Sequence, residues 1–367
     1  MIILNGAYRP FFPAAGLLAA CAIPLWLGYY AGLDAFGPDD MLRWHMHEML
    51  FGYLGGVLAG FLLTAIPNWT GRPAIKGRPL LLLFLAWLLG RFVFLATPDF
   101  EWAALIFPVA LAGIASFEIV AGGNKRNLVM AALVWIFVVA QIVMIWDDPW
   151  FAQRMGLAIA GCMIALIGGR ITPTFSRNWL KAKGLDHPQP QFGMVDRAAL
   201  ITTVITLIAW VAIPTHPITG GLAIFAAVSL GVRLCRWRAD RVVQEPLLFA
   251  LHAAYAWLVL SFALLAGHVL GDWFTSAQVS HAFGAGAVGT MTLVVMLRAL
   301  LGHSGRPVTA NGLDILALVM VHTGALLRIL AGSVDVPALL FVSGTIWSLG
   351  FLTFTLRAIP LAKAETP

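Results

Sequence analysis

The stretch MLRWHMHEMLFGYLGGVLAGFLLTAIPNWTG, residues 41–71, predicts a helix that spans a lipid bilayer. A spanning helix needs about 20 mostly apolar residues, and the part of this stretch after Glu48 carries no charged residue. The first turns, in contrast, contain His45, His47 and Glu48. Ionisable side chains within a membrane span are costly and usually functional, so we expect this end of the helix to belong to a site.

The composition of the whole chain is that of a membrane protein. Of its 367 residues, 60% are hydrophobic and only 11% are charged, whereas soluble domains carry about 25% charged residues. The net charge of +6 would suit nucleic acid, but the basic residues lie in short connections between apolar runs, which favours a topology signal and no nucleic-acid partner. The three dispersed cysteines are typical of small hydrophobic side chains and do not indicate a disulfide or a thiolate metal site.

Apolar runs of spanning length recur twelve times, which predicts an all-α polytopic membrane protein with twelve transmembrane helices embedded in lipid. Runs this continuous exclude a β-barrel, whose strands alternate in hydrophobicity. The predicted spans are residues 12–32, 44–66, 79–97, 101–120, 127–146, 151–169, 195–213, 217–235, 246–270, 277–301, 310–332 and 336–358.

The longest connection divides this single transmembrane domain, residues 1–367, into two halves. Helices 1–6 occupy residues 12–169, the connection occupies 170–194, and helices 7–12 occupy 195–358. This order favours two bundles of six helices. With the N-terminus in the cytoplasm, nearly all Lys and Arg residues lie on the cytoplasmic side, including those of the 170–194 connection. The positive-inside rule therefore predicts that both termini lie in the cytoplasm.

In this orientation, histidines from different spans lie at similar depths. Four histidines lie near the predicted outer ends of their spans: His45, His47, His268 and His281. A fifth, His322, lies deeper, in the eleventh span. Neutral imidazole is a common ligand of iron, copper and zinc, so these five residues are candidate metal ligands. The alternative for each is a hydrogen-bonded packing residue.

The second span presents two chemically different faces. Met41, His45 and Met49 are spaced four apart and share one face, which favours copper because thioethers bind copper(I). His47 points elsewhere and suits an axial position on haem. The chain has no Cys-x-x-Cys-His sequence for covalent attachment, so the haem expected here is b-type.

Charged residues near these histidines complete the candidate site. Arg91 and Arg328 lie near the predicted outer ends of the third and eleventh spans. Each either reaches the lipid headgroups or neutralises a carboxylate of a buried cofactor, and haem propionates are the obvious candidates. Glu48 adjoins His47, where it would orient the imidazole or carry protons, which makes it the candidate catalytic residue.

Four motifs resemble the NnrS family. They are RPFFPAAG (9–16), WHMHEMLFGYLGGVLAGFLLTAIPNWTGR (44–72), GGRITPTFSRN (168–178) and HAFGAGAVGTMTLVVMLRALLGHSGRP (281–307). The resemblance extends over about residues 5–360. It implies a twelve-helix bacterial inner-membrane protein linked to nitric oxide stress and denitrification, with haem and copper. It covers His45, His47, Glu48, His281 and His303 but does not say which of them bind metal.

The leading hypothesis is a haem-containing membrane protein that binds or converts nitric oxide. His47 and His281 are the predicted axial ligands, and Arg91 and Arg328 bind the cofactor. If the protein turns over, it is a haem-dependent oxidoreductase that takes electrons from quinol or an electron-carrier protein. The alternatives are a transporter for haem, copper or a small anion, and a non-catalytic nitric oxide sensor.

Overall fold

A computed structural model describes residues 2–33, 38, 40–96, 98–185, 190–334 and 336–364. It is 84% helical, and the described residues contain no strand. Twelve helices are long and apolar enough to cross a membrane, which confirms the predicted class and number of spans. The protein is therefore a membrane protein.

The spanning helices follow the predicted order. They are α1 (Tyr8–Tyr30), α2 (Met41–Thr70), α3 (Arg78–Ala96), α4 (Asp99–Ala121), α5 (Lys125–Trp146), α6 (Pro149–Ala182), α7 (Met194–Ala212), α8 (Pro217–Arg241), α9 (Pro246–Gly271), α10 (Ser276–His303), α11 (Gly312–Leu330) and α12 (Pro337–Lys363).

The sixth helix is longer than the sequence predicts. At 34 residues, α6 is about 51 Å long, which exceeds a hydrocarbon core of about 30 Å. Its last part, Gly169–Ala182, is a polar helix in the region expected to be a connection. Thr172, Ser176 and Leu180 are buried along one face, so packing along that face keeps this polar sequence helical. Residues 186–189 of the predicted connection lie outside the described residues.

Three spans contain a segment of π-helix. These segments are Glu48–Leu54 in α2, Ile164–Gly168 in α6 and Ala282–Val288 in α10. A π-helical turn shifts the backbone hydrogen-bond pattern, and such turns often occur at functional sites. These segments were not predicted from the sequence.

A side chain of a neighbouring helix donates a hydrogen bond to a carbonyl in each π segment. Trp87 Nε1 donates to the Gly52 carbonyl at 2.9 Å, and Trp347 Nε1 donates to the Ala285 carbonyl at 3.3 Å. In α6 the donor is the buried guanidinium of Arg233, which reaches the carbonyl of Ala165 at 2.9 Å. An unsatisfied carbonyl is costly where no water can reach it, so these donors stabilise the irregular turns.

The second and tenth helices share the same order of features. His47 and His281 each directly precede one of the seven-residue π segments. A Gly-Arg-Pro sequence follows at the same distance from each histidine, beginning at Gly71 and at Gly305. The two helices therefore repeat one local arrangement.

The chain folds as two compact units, and three of the four boundaries between them fall within spans. Unit 1 contains His45, His47, Glu48 and Arg91, whereas unit 2 contains the other four candidate site residues. Unit 1 is Met1–Gly156, Met296–Val308 and Ser348–Pro367, and unit 2 is Leu157–Val295 and Thr309–Trp347. Because the breaks lie within α6, α10 and α12, the units do not coincide with the first and last six helices.

The Trp87→Phe substitution tests the role of the indole donor in α3. It keeps an aromatic ring but removes the indole donor, so the buried Gly52 carbonyl keeps only the backbone N–H of Gly55, and we expect unfolding to become easier by about 0.5–1.5 kcal/mol. Denaturant titration in detergent micelles measures this change. Trp146→Phe, at a residue that is 61% exposed, is the control and should change stability much less. Equal effects of the two substitutions would argue against the role of the Trp87 hydrogen bond.

Candidate functional site

The candidate site lies at the beginning of α2 in unit 1. Asp40 caps this helix, since its carboxylate accepts a 2.9 Å hydrogen bond from the backbone N–H of Arg43. Met41 and Trp44 are then buried in an apolar cluster with Phe94 of α3. His47 follows Trp44 by three residues and therefore lies over the same side of the helix. Local capping and apolar packing thus turn the His47 imidazole into the protein.

The imidazole of His47 is completely buried, and both of its nitrogens have partners. Its Nδ1 lies 2.9 Å from Glu48 Oε1, and its Nε2 lies 3.0 Å from the side-chain nitrogen of Gln141 in α5. One face of the ring stacks on Phe94, with ring centroids 3.5 Å apart and planes inclined by 2°. The ring is therefore fixed at both edges and on one face.

The hydrogen bonds of Gln141 define the tautomer of His47. The amide nitrogen of Gln141 also lies 3.4 Å from the carbonyl oxygen of Ala104, which can only accept a hydrogen bond. Turning the amide over would place two oxygens against each other, so the nitrogen faces His47 and donates to Nε2. A neutral imidazole that accepts at Nε2 carries its proton at Nδ1, which then donates to Glu48.

Arg91 of α3 balances the buried charge of Glu48. Its Nε lies 3.1 Å from Glu48 Oε2, and the two side chains are 12% and 1% exposed. Gly52 provides the space for this pair, because a Cβ at this position would overlap Arg91 Nη1 and lie 2.7 Å from Glu48 Oε2. Arg91 thus pairs through Nε with a carboxylate of the protein, and its predicted contact with a carboxylate of the cofactor stays a prediction.

Several buried polar atoms of this cluster make no hydrogen bond within the protein. Apart from Arg91 Nε and Glu48 Oε2, which form the ion pair, they are Arg91 Nη1, Trp44 Nε1 and Gln141 Oε1. Such atoms are uncommon in native proteins, and each costs about 1–3 kcal/mol. Two of them are on donor groups and one is an acceptor, so the cluster is suited to hold a small polar or anionic group among α2, α3 and α5.

A second ion pair lies close to this cluster. Arg43 donates to both carboxylate oxygens of Glu101 at 3.1 and 2.6 Å, and also to the carbonyls of Met144 and Ile145. Its guanidinium lies 5.3 Å from the centre of the Phe94 ring, which in turn stacks on His47. Phe94 therefore separates the partly exposed pair from the buried one.

The predicted methionine and histidine stripe of α2 packs against apolar residues. Met41 is 1% exposed, and Met49 packs against the same apolar cluster. The His45 ring stacks on Trp26 of α1 at a centroid distance of 5.3 Å. These contacts are typical of core packing, and a copper role for the stripe stays a prediction.

The remaining candidate residues belong to unit 2. The Nδ1 atoms of His268 and His281 lie 2.7 Å from the carbonyls of Phe274 and Ala277 and so act as donors. His322 differs, because its Nδ1 accepts a 3.0 Å hydrogen bond from the indole of Trp257. Its proton is then at Nε2, and a metal could bind there only after this arrangement changes.

The described residues contain no group of three or more His, Cys, Asp or Glu side chains placed to hold a metal ion. The structure brings together His47, Glu48 and Arg91 in unit 1. Metal, cofactor or catalytic roles for these three stay predictions, as do those for His45, His268, His281, His322 and the half-buried Arg328.

Sequence reasoning missed Gln141. It is the only charged, amide or hydroxyl side chain in the apolar run LVMAALVWIFVVAQIVMIW, residues 128–146. A lone amide in such a run needs a partner inside the protein, and that signal could have pointed to the site. Nothing in the sequence indicated that this partner would be His47.

A family model described as NnrS protein matches residues 2–364. The chain belongs to the NnrS family. This result confirms the resemblance carried by the motifs around His47 and His281, and it links the chain to a nitric oxide-related function. None of the curated proteins matches the sequence. The His47 cluster lies within the first of the long NnrS motifs.

A double-mutant cycle tests the buried pair of Glu48 and Arg91. Removing either charge alone, by Glu48→Gln or Arg91→Gln, leaves the other buried and unpaired, so each should lower stability by about 3–5 kcal/mol. Removing both should cost clearly less than the two single effects together, because no unpaired charge remains. Unfolding in detergent micelles gives the three values.

An exposed ion pair supplies the control for this cycle. Asp240 and Arg238 are more than half exposed, so Asp240→Asn should change stability much less than either Glu48→Gln or Arg91→Gln. Additive effects of Glu48→Gln and Arg91→Gln would show that the two residues do not act as a pair.

Proposed function

We propose that this NnrS-family protein is a haem-containing inner-membrane protein that binds or converts nitric oxide in nitrosative-stress defence or denitrification. The observation that carries the proposal is the buried imidazole of His47, whose Nδ1–H is donated to Glu48. His47 would hold the iron of haem through Nε2, and Glu48 would orient the imidazole.

The hydrogen bonding of His47 supports this assignment. Metal-binding histidines almost always donate their second ring nitrogen to a carboxylate, a carbonyl or water, which fixes the ring and makes the ligating nitrogen more basic. Glu48 is placed to do this, and its own charge is balanced by Arg91. Displacement of Gln141 from Nε2 would leave a lone pair suited to haem iron.

Other residues of the cluster fit the same group. The unbonded N–H groups of Arg91 Nη1 and Trp44 Nε1 are donors for an acidic substituent of haem. Phe94 and Phe51 pack around His47 and keep water away from the imidazole. When bound, the iron would supply a coordination position for nitric oxide, a small apolar molecule that can cross lipid.

If the protein converts nitric oxide, the reaction also needs electrons and protons. Electrons come from quinol or an electron-carrier protein, and Glu48 passes protons within the buried cluster. Copper remains a second predicted metal, with His45, His268 or His322 as its candidate ligands, and the haem role of His281 stays a prediction. A protein that only binds nitric oxide needs no electron donor, no proton path and no copper.

Purification from cells supplied with haem precursor tests the haem assignment. The wild-type protein should show a Soret band and bound iron, and His47→Ala should lose most of both. Glu48→Gln should weaken haem binding by about 10- to 100-fold, because it removes the orienting carboxylate. His216→Ala is the control: this histidine is exposed and caps α8, so haem content should not change. Wild-type protein without haem would refute the proposal.

The response of the reduced protein to nitric oxide separates the forms of the hypothesis. A spectral shift without loss of nitric oxide from solution indicates a binding or sensing protein. Consumption of nitric oxide together with an electron donor indicates an oxidoreductase. A protein that carries no haem but moves haem, copper or an anion across a vesicle membrane would be a transporter.

Fusions to reporter proteins test the proposed orientation. With both termini in the cytoplasm, green fluorescent protein fused after residue 367 should fluoresce, and alkaline phosphatase at this position should be inactive. Phosphatase inserted after Thr215, between α7 and α8, should be active. The opposite pattern at both positions would reverse the orientation.

A further inference from the structure

Gln141 has no role in the sequence hypotheses, yet it contacts the ring nitrogen on which the proposed function depends. Its side chain is 1% exposed and comes from α5, whereas His47 comes from α2. The amide nitrogen lies 3.0 Å from His47 Nε2 and 3.4 Å from the carbonyl of Ala104. Gln141 therefore occupies the place of a ligand bound at Nε2.

Glu48 and Gln141 both favour the same tautomer of His47. Glu48 accepts the proton of Nδ1, and Gln141 supplies a donor to Nε2, so both favour the tautomer with the lone pair at Nε2. This is the tautomer that binds an electron-pair acceptor at Nε2. The ring is held in its ligating form while Nε2 is covered.

The amide of Gln141 is also incompletely satisfied. Its carbonyl oxygen Oε1 is buried and has no hydrogen-bond donor within the protein. A residue that served only to complete the packing would gain from having both ends of the amide bonded. An amide bonded at one end is easier to displace than one bonded at both.

We infer that Gln141 is a positioning residue that keeps His47 in the Nδ1–H tautomer and covers Nε2 until a ligand displaces it. The inference rests on the proposed function only for the identity of that ligand, which is the iron of haem. The effect on the His47 proton belongs to the protein itself. Gln141 thus sets how readily Nε2 becomes available.

The test compares the wild type with Gln141→Met in haem-free protein. Methionine has a similar length and no N–H group, so it preserves the packing of α5 and removes the donor. Nitrogen-15 NMR of histidine-labelled protein in lipid nanodiscs, with His47 assigned from the spectrum of His47→Gln, reports both ring nitrogens. We expect Nδ1 to be protonated and Nε2 unprotonated in the wild type, and the Nε2 resonance to move toward that of a free lone pair in Gln141→Met.

Haem titration of the same proteins tests the covering role. Loss of the competing hydrogen bond should make Gln141→Met bind haem about 2- to 10-fold more tightly than the wild type. Met130→Leu is the matched control, because it is a volume-conserving change at a buried position of the same helix. It should change neither the Nε2 resonance nor haem binding.

The outcomes separate this inference from the proposed function. A protonated Nε2 in the wild type, or an Nε2 resonance that Gln141→Met does not move, overturns the positioning role. An unchanged haem affinity in Gln141→Met overturns the covering role. If the wild type and both variants bind no haem, the proposed function fails, while the Nε2 resonance still decides whether Gln141 holds the His47 tautomer.

Discussion

Backbone polar groups within hydrocarbon must find partners inside the protein, and this constraint governs the irregular parts of the structure. A regular α-helix satisfies it alone, whereas the three π segments receive additional donors from Trp87, Arg233 and Trp347. These donors tie each irregular helix to a specific neighbour. In α2 this coupling joins the backbone beside the candidate site to α3, the helix that also supplies Arg91 and Phe94 to the His47 cluster.

The same constraint explains the composition of the cluster around His47. A lone carboxylate at Glu48 would be too costly to bury, and Arg91 balances it at 3.1 Å. The lack of a side chain at Gly52 allows the two to approach. The paired carboxylate is then free to accept the proton of His47, so the position of an arginine on α3 determines the hydrogen bonding of a histidine on α2. With Gln141 at the other ring nitrogen, the orientation of His47 depends on side chains from α2, α3 and α5.

The sequence predicted the scaffold well because spanning helices depend on long apolar runs, which are local. All twelve were recognisable, and His47, Glu48 and Arg91 stood out because charge is rare there. The polar end of α6 was missed because its helix depends on packing along one face. The π segments and Gln141 were missed for a related reason. Which carbonyl needs a donor, and which amide meets which imidazole, are decided between helices and leave no periodic signal in the chain.

Hydrogen bonding also distinguishes the histidines more sharply than depth does. At His47, His268 and His281 the partner of Nδ1 is an oxygen acceptor, which places the proton at Nδ1 and the lone pair at Nε2. At His322 the partner is the indole N–H of Trp257, which reverses this assignment. Metal binding requires a lone pair, so the two kinds of histidine differ in chemistry. Of the three histidines with a lone pair at Nε2, only His47 donates its Nδ1–H to a carboxylate. A carboxylate acceptor makes Nε2 more basic, and so a stronger ligand, than a backbone carbonyl acceptor does.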